Sequence, residues 1–277
     1  MIYYRIMPDL LTDAQFELFR KVIYDESGIT FSTTNRSILD SRMKELLREK
    51  KLDSVEKYYD LIHADKEEMK QMLDSVTTNL TRFFRNQPHF DAFEHYVVPH
   101  VLEEKKKTGD TKIRVWSAGC STGEEPYTIA MILKTILPPP YTFAVTASDI
   151  SLKSLMVGQQ GFYPDSRIEG IPPAYLSRFL TRADGGYQMK KEIMDTVHFD
   201  YHNLKNDSGA RNLDIVFCRN VLIYFDEPAQ LAVINRFWDA MAAHSYLFIG
   251  HSESLFGMNT KFQFLKTDWA CLYQKNE

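Results

Sequence analysis

The stretch Arg114-Val-Trp-Ser-Ala-Gly-Cys-Ser-Thr-Gly-Glu-Glu-Pro126 decides the fold. An apolar, β-rich run ends in a loop of small residues, and a helix opens at Glu124. Gly119 and Gly123 let the backbone approach a ligand closely. The helix N-terminus offers N–H groups with no partner inside the helix. A first strand–loop–helix turn of this kind is where open parallel sheets bind ligands. The spacing is not G-x-G-x-x-G and carries no Walker lysine, so neither a dinucleotide nor a nucleoside triphosphate loop fits.

Outward from this stretch, residues 113–117, 143–148, 213–218 and 246–250 read as strands. Residues 124–137, 152–159 and 228–243 read as helices. Strands alternating with helices predict an α/β fold with a doubly wound parallel sheet. Residues 261–264 and 269–274 flank Lys266-Thr267-Asp268 as a closing antiparallel hairpin. Gly185-Gly186 marks a turn, and residues 187–189 and 197–199 are expected to pair as a small β-subdomain near 181–199. Glu124 and Glu125 would repel a pyrophosphate but suit a cationic group, such as the α-ammonium of S-adenosylmethionine. Asp149, ending the second strand, suits ribose hydroxyls.

The first half of the chain is helical. Thr12 and Gln15 form a capping box before a face of Phe16, Phe19 and Ile23, with Gly28 as the stop. A second helix over 36–51 buries Leu39, Met43 and Leu47. Its other faces carry Arg36, Arg42, Lys44, Arg48, Lys50 and Lys51 against Asp40, Glu45 and Glu49. Ser54 starts a third helix, and a fourth runs over about 66–80. The expected division is a helical domain over 1–85, a linker helix over 86–108, and a ligand-binding domain over 109–277.

Composition excludes several classes. A net charge of −4 over 277 residues argues against a partner bound mainly through phosphates, so no nucleic acid is expected. No run of about 18 apolar residues predicts membrane insertion. The first ten residues hold Arg5, Pro8 and Asp9 and do not read as a signal peptide. Three cysteines do not make a disulfide framework, which fits a cytoplasmic setting. The eight histidines show no metal-ligand spacing, so no metal is expected. A monomer is the default.

Further runs add specificity: Thr78-Asn-Leu-Thr-Arg-Phe-Phe-Arg85, Phe199-Asp-Tyr-His-Asn-Leu204, Asp214-Ile-Val-Phe-Cys-Arg-Asn-Val-Leu-Ile-Tyr-Phe-Asp226 and Leu247-Phe-Ile-Gly-His-Ser-Glu-Ser254. Together with Ser-Thr-Gly-Glu-Glu-Pro, and in this order, they resemble the CheR family of chemotaxis receptor methyltransferases. The resemblance implies a small all-α N-terminal domain, a Rossmann-like methyltransferase sheet and a small β-subdomain. It implies S-adenosylmethionine as methyl donor, S-adenosylhomocysteine as product, and glutamates on a chemoreceptor helical bundle as acceptors. Carried over by motif, Asn79, Thr81, Arg85, Gly119, Glu125, Asp149, Asn203, Leu204, Arg219 and Asn220 should surround the cofactor, with Glu124 an alternative to Glu125. The short run at 181–189 resembles members that do not depend on a receptor C-terminal pentapeptide.

Arg85 and Tyr224 are the candidate catalytic residues: Arg85 to contact a carboxylate, Tyr224 to orient the methyl donor. The basic helix 36–51 is a candidate docking face for the receptor. A methyltransferase for another acceptor, and a non-catalytic cofactor-binding signalling module, stand as alternatives at this stage.

Overall fold

The computed structural model describes residues 10–77 and 80–277, and the chain divides after residue 78 into two compact units. Among its described residues the first unit contains four α-helices: α1 (Asp13–Ser27), α2 (Arg36–Lys50), α3 (Val55–Ala64) and α4 (Lys66–Val76). The capping box of α1 forms as expected, with Thr12 accepting the Gln15 N–H and Gln15 accepting the Thr12 N–H. In α2 the buried face comprises Leu39, Met43, Leu46 and Leu47. Asp40, expected on a polar face, is also buried, and its Oδ1 accepts the Leu11 N–H at 3.1 Å. The chain ahead of α1 leaves that donor inside, and an unpaired buried N–H is costly enough to draw in a carboxylate. Helix α4 ends at Val76, four residues before its expected end, with Thr77 extended.

The second unit begins with a long helical run: α5 (Gln87–Ala92), a π-turn (Phe93–Val97) and α6 (Val98–Thr108), which Gly109 ends. There follow β1 (Lys112–Ala118), α7 (Glu124–Ile136), β2 (Thr142–Asp149), α8 (Leu152–Gln160), β3 (Phe162–Pro164), α9 (Pro173–Phe179), β4 (Leu180–Ala183) and β5 (Gly186–Met189). The chain closes with α10 (Lys191–Met194), β6 (Val197–Tyr201), β7 (Leu213–Cys218), α11 (Glu227–Ala240), β8 (Met241–Ile249), β9 (Gln263–Lys266) and β10 (Cys271–Lys275).

The main sheet has the order β6-β2-β1-β7-β8-β10-β9. The first five strands run parallel, while β10 is antiparallel to β8 and β9 to β10. Strand order reverses at β1, which has β2 on one side and β7 on the other. On one face, Phe217 and Phe248 stack with centroids 4.2 Å apart and meet Phe93 edge-on, in one core with Val115, Val145 and α7 residues Ile129 to Leu133. On the other, Trp116 meets Phe237 of α11 at 5.3 Å. Helices on both faces are what a buried parallel sheet requires.

The small β-subdomain is built differently from the expected pairing. Residues 186–189 pair with 162–164 and 180–183 in a three-stranded antiparallel sheet, β3-β5-β4. Residues 197–201 do not join it; they form the β6 edge of the main sheet, parallel to β2. Helix α10 turns the chain between β5 and β6, so the second run cannot return as a hairpin partner. The expected helix over 228–243 also ends early, because Met241 pairs with Leu213 and starts β8. Ala-Met-Ala-Ala has helical propensity, and sheet pairing overrides it.

Candidate active site

The site is assembled at the carboxyl ends of β6, β2, β1 and β7, where the strand order reverses. After β1 the chain turns sharply. The Gly119 and Cys120 N–H groups both donate to the Ser148 carbonyl on β2, at 2.8 and 2.9 Å. Gly119 has φ +78°, and a Cβ there would lie 2.4 Å from Val221 Cγ2, so only glycine fits.

Asp149 ties the loops together. Its Oδ2 accepts the Ser121 N–H at 2.7 Å and its Oδ1 the Ser151 N–H at 2.9 Å. Its carbonyl accepts the His202 N–H at 3.0 Å, which brings Asn203 and Leu204 beside it. Asn203 turns its own segment, its Oδ1 accepting the Lys205 N–H.

Two adjacent glutamates on the first turn of α7 face different surroundings. Glu124 is fully buried, accepts the Thr122 hydroxyl at 2.7 Å and lies 3.6 Å from Arg167. Glu125 keeps 13% of its side chain exposed; it accepts the Ser117 hydroxyl at 2.8 Å and pairs with Arg219 at 3.1 Å. Burial pushes both carboxyls above their ordinary range, with Arg219 and Ser117 opposing it at Glu125. Arg219 is itself buried and donates to the Arg85 carbonyl. Arg85 donates to the Leu80 carbonyl at 2.7 Å, and its charge is felt at both Glu125 and Arg219. The Phe84 N–H donates to the Thr128 hydroxyl on α7, which pins the Phe84-Arg85 segment.

The structure thus gathers Arg85, Gly119, Glu125, Arg219 and Asn220 around the ends of β1 and β7, with Asp149, Asn203 and Leu204 on the β2–β6 side. Tyr224 closes a short 3-10 turn, Leu222–Tyr224, just beyond Asn220. Thr81 is described but partly exposed in the segment leading to Phe83, and Asn79 lies outside the described residues. Two participants escaped the sequence reading. Ser117 was detectable in principle: it shares a strand face with Ile113 and Val115, and a hydroxyl on an apolar face needs a partner. Glu253 is the other, its carboxylate accepting the Asn220 N–H at 3.0 Å. Among the described residues, no three His, Cys, Asp or Glu side chains gather to hold a metal, and no helix is long and apolar enough to cross a membrane.

Residues 79–271 match the family model described as CheR methyltransferase, SAM binding domain, and residues 14–77 match CheR methyltransferase, all-alpha domain. The chain belongs to the CheR methyltransferase family. A chemotaxis protein methyltransferase of Borreliella burgdorferi is 32% identical over 96% of this chain and 95% of its own length. One from Escherichia coli K12 is 33% identical over 91% and 88%, and chemotaxis protein methyltransferase 2 of Pseudomonas aeruginosa is 35% identical over 88% and 87%. As a CheR family member the chain is an S-adenosylmethionine-dependent methyltransferase. The site suits that cofactor: Arg219 Nε and Ser121 Oγ are buried without a protein partner, and the Gly119 turn leaves no room for a side chain.

Proposed function

We propose that this enzyme methylates glutamate side chains of chemoreceptors, forming methyl esters in sensory adaptation. The observation that carries this reading is the similarity, over nearly the whole chain, to proteins named as chemotaxis methyltransferases. Bound S-adenosylmethionine would supply an electrophilic methyl group on a sulfonium. The acceptor needs no strong base, because a glutamate with a pKa of about 4.3 is already ionised at neutral pH. The chain's work is therefore to bind, align and exclude water. Alignment of this kind supplies roughly 7–11 kcal/mol in favourable cases.

In this reading Glu125 receives the methionine ammonium, supported by its partial exposure beside a carboxylate-binding guanidinium; Glu124 is fully buried and accepts the Thr122 hydroxyl. Asp149 receives the ribose hydroxyls, while Asn203, Leu204, Arg219 and Asn220 form the surrounding wall. Thr81 completes it from the segment ahead of Arg85. Arg85 presents its guanidinium to a carboxylate, and Tyr224 orients the donor. The exposed cations Lys44 and Arg48 on α2 dock on an acidic receptor bundle. The two-residue turn between β4 and β5 supports docking without a receptor C-terminal tether.

The test is incubation with labelled S-adenosylmethionine and cytoplasmic fragments of chemoreceptors, followed by mapping of the label onto proteolytic peptides. Label on glutamate-containing helical peptides supports the reading. Tight cofactor binding with label on no receptor would redirect it to another acceptor.

A further inference from the structure

The loop after β8 carries a carboxylate that the cofactor reading does not use. Residues 250–253 form a tight turn, closed by the Glu253 N–H donating to the Gly250 carbonyl at 2.9 Å. The turn folds the Glu253 side chain back onto the end of β7. Its Oε2 accepts the Asn220 N–H at 3.0 Å and also the Gly250 N–H, and its Oε1 accepts the Ile223 N–H at 3.2 Å. One carboxylate gathers three backbone donors from two loops.

Each end of this clamp has a reason. Asn220 sits at φ +60°, a left-handed conformation that asparagine tolerates but that its surroundings must hold. Gly250 leaves the carboxylate its space: a Cβ there would lie 2.5 Å from Glu253 Oε2 and 2.8 Å from the Asn220 nitrogen. Beyond the clamp, the buried Leu255 N–H donates to the Tyr273 hydroxyl of β10 at 2.9 Å, fixing the loop to the sheet. Hydrogen bonds to an ionised acceptor are shorter and stronger than neutral ones. A carboxylate fixed at both ends of its own loop is therefore a firm reference point for the turn it grips.

We propose that Glu253 is a positioning residue of the methyl-transfer site. It holds the turn from Arg219 to Tyr224 in register, so that Arg219 meets Glu125 while Asn220 and Tyr224 line the cofactor wall. The proposal rests on reading that turn as part of the cofactor site. Glu253 acts through the backbone of Asn220 and Ile223 and needs no contact with cofactor or substrate.

The experiment compares full-length E253A and E253Q with N220A, measuring thermal unfolding, cofactor affinity by calorimetry, and kcat per folded molecule. E253A should bind S-adenosylmethionine about 10–100-fold more weakly, with kcat reduced alongside. E253Q keeps one oxygen for the Asn220 and Gly250 donors but turns an amide toward Ile223, so it should fall between E253A and the parent. A purely structural role would lower the unfolding temperature and leave affinity and kcat of the folded fraction unchanged; that result overturns the proposal. If E253A does not fold, the isosteric E253Q decides: weakened affinity supports the proposal, and parental affinity and kcat overturn it. N220A distinguishes the two layers. Loss of affinity in N220A with none in E253A refutes the role of Glu253 alone, because N220A keeps the backbone N–H that Glu253 grips and removes only the side chain.

Discussion

Glu125, on the first turn of α7, and Arg219, just past β7, form a 3.1 Å ion pair across the point where the strand order reverses. Their side chains are 13% and 3% exposed, so water screens them little. Burial drives the Glu125 carboxyl up and the Arg219 guanidinium down, and each charge offsets the other's desolvation. Removing one partner leaves the other stranded. Arg219→Ala should cost about 3 kcal/mol of stability in denaturant unfolding and weaken cofactor binding by about 100-fold. Unchanged affinity would separate Arg219 from the cofactor.

The turn after β1 depends on a missing side chain. Gly119→Ala places a methyl against Val221 and a non-glycine residue at φ +78°. The backbone term alone is about 1–2 kcal/mol, and displacement of Val221 should disturb Asn220 beside it. Adding Val221→Ala should restore part of the cofactor affinity and little of the backbone cost. A double variant no better than Gly119→Ala would show that the clash is not the cause.

Arg85 belongs to the same cluster, yet the residue is only partly buried. Arg85→Ala should leave the unfolding temperature near that of the parent and abolish turnover in a methyl-transfer assay. Near-normal turnover would remove Arg85 from the chemistry.

Docking is testable apart from chemistry. Lys44→Glu with Arg48→Glu on α2 should raise KM for the receptor and leave cofactor affinity unchanged. The parent rate should fall as salt rises, and the charge-reversed variant should lose that dependence. Parental kinetics in the variant would dismiss the basic face.

Acid stability should report on His89. Its ring is buried against Phe248, and burial, with Arg219 and His251 nearby, pushes its pKa down to about 3. The ring is neutral in the fold but takes a proton when unfolded below about 6.5. Between those values the unfolded state binds more protons, so stability is complete above about pH 6.5 and is lost as pH falls toward 3. The loss from pH 7 to 5 should be about 2 kcal/mol. His89→Phe should flatten this part of the stability–pH curve; an unchanged slope would assign the acid sensitivity to other groups.

Much of this architecture was legible in local pattern. The apolar run into Gly119, the acidic end of β2 and the capping box at Thr12 each declare themselves within a few residues. What was not legible depends on distant pairing. Val197 to Phe199 looks equally suited to a hairpin with Tyr187 to Met189 or to the open edge of β2, and only α10 reverses the chain to choose the latter. Phe162 to Pro164 is too short to signal a strand, and Met241 leaves its helix because Leu213 offers a ladder. At the site, the residues gathered at the strand ends follow from motif order. The supporting contacts of Ser117 and Glu253 do not, since Ser117 meets a side chain on α7 and Glu253 meets backbone N–H groups beyond β7.

The most direct test of the central claim is base lability of the transferred methyl. Purified enzyme, labelled S-adenosylmethionine and a receptor cytoplasmic domain should yield label that mild alkali releases as volatile methanol, as a glutamate methyl ester requires. Alkali-stable label would mean transfer to nitrogen, sulfur or another oxygen, and would contradict glutamate as the acceptor.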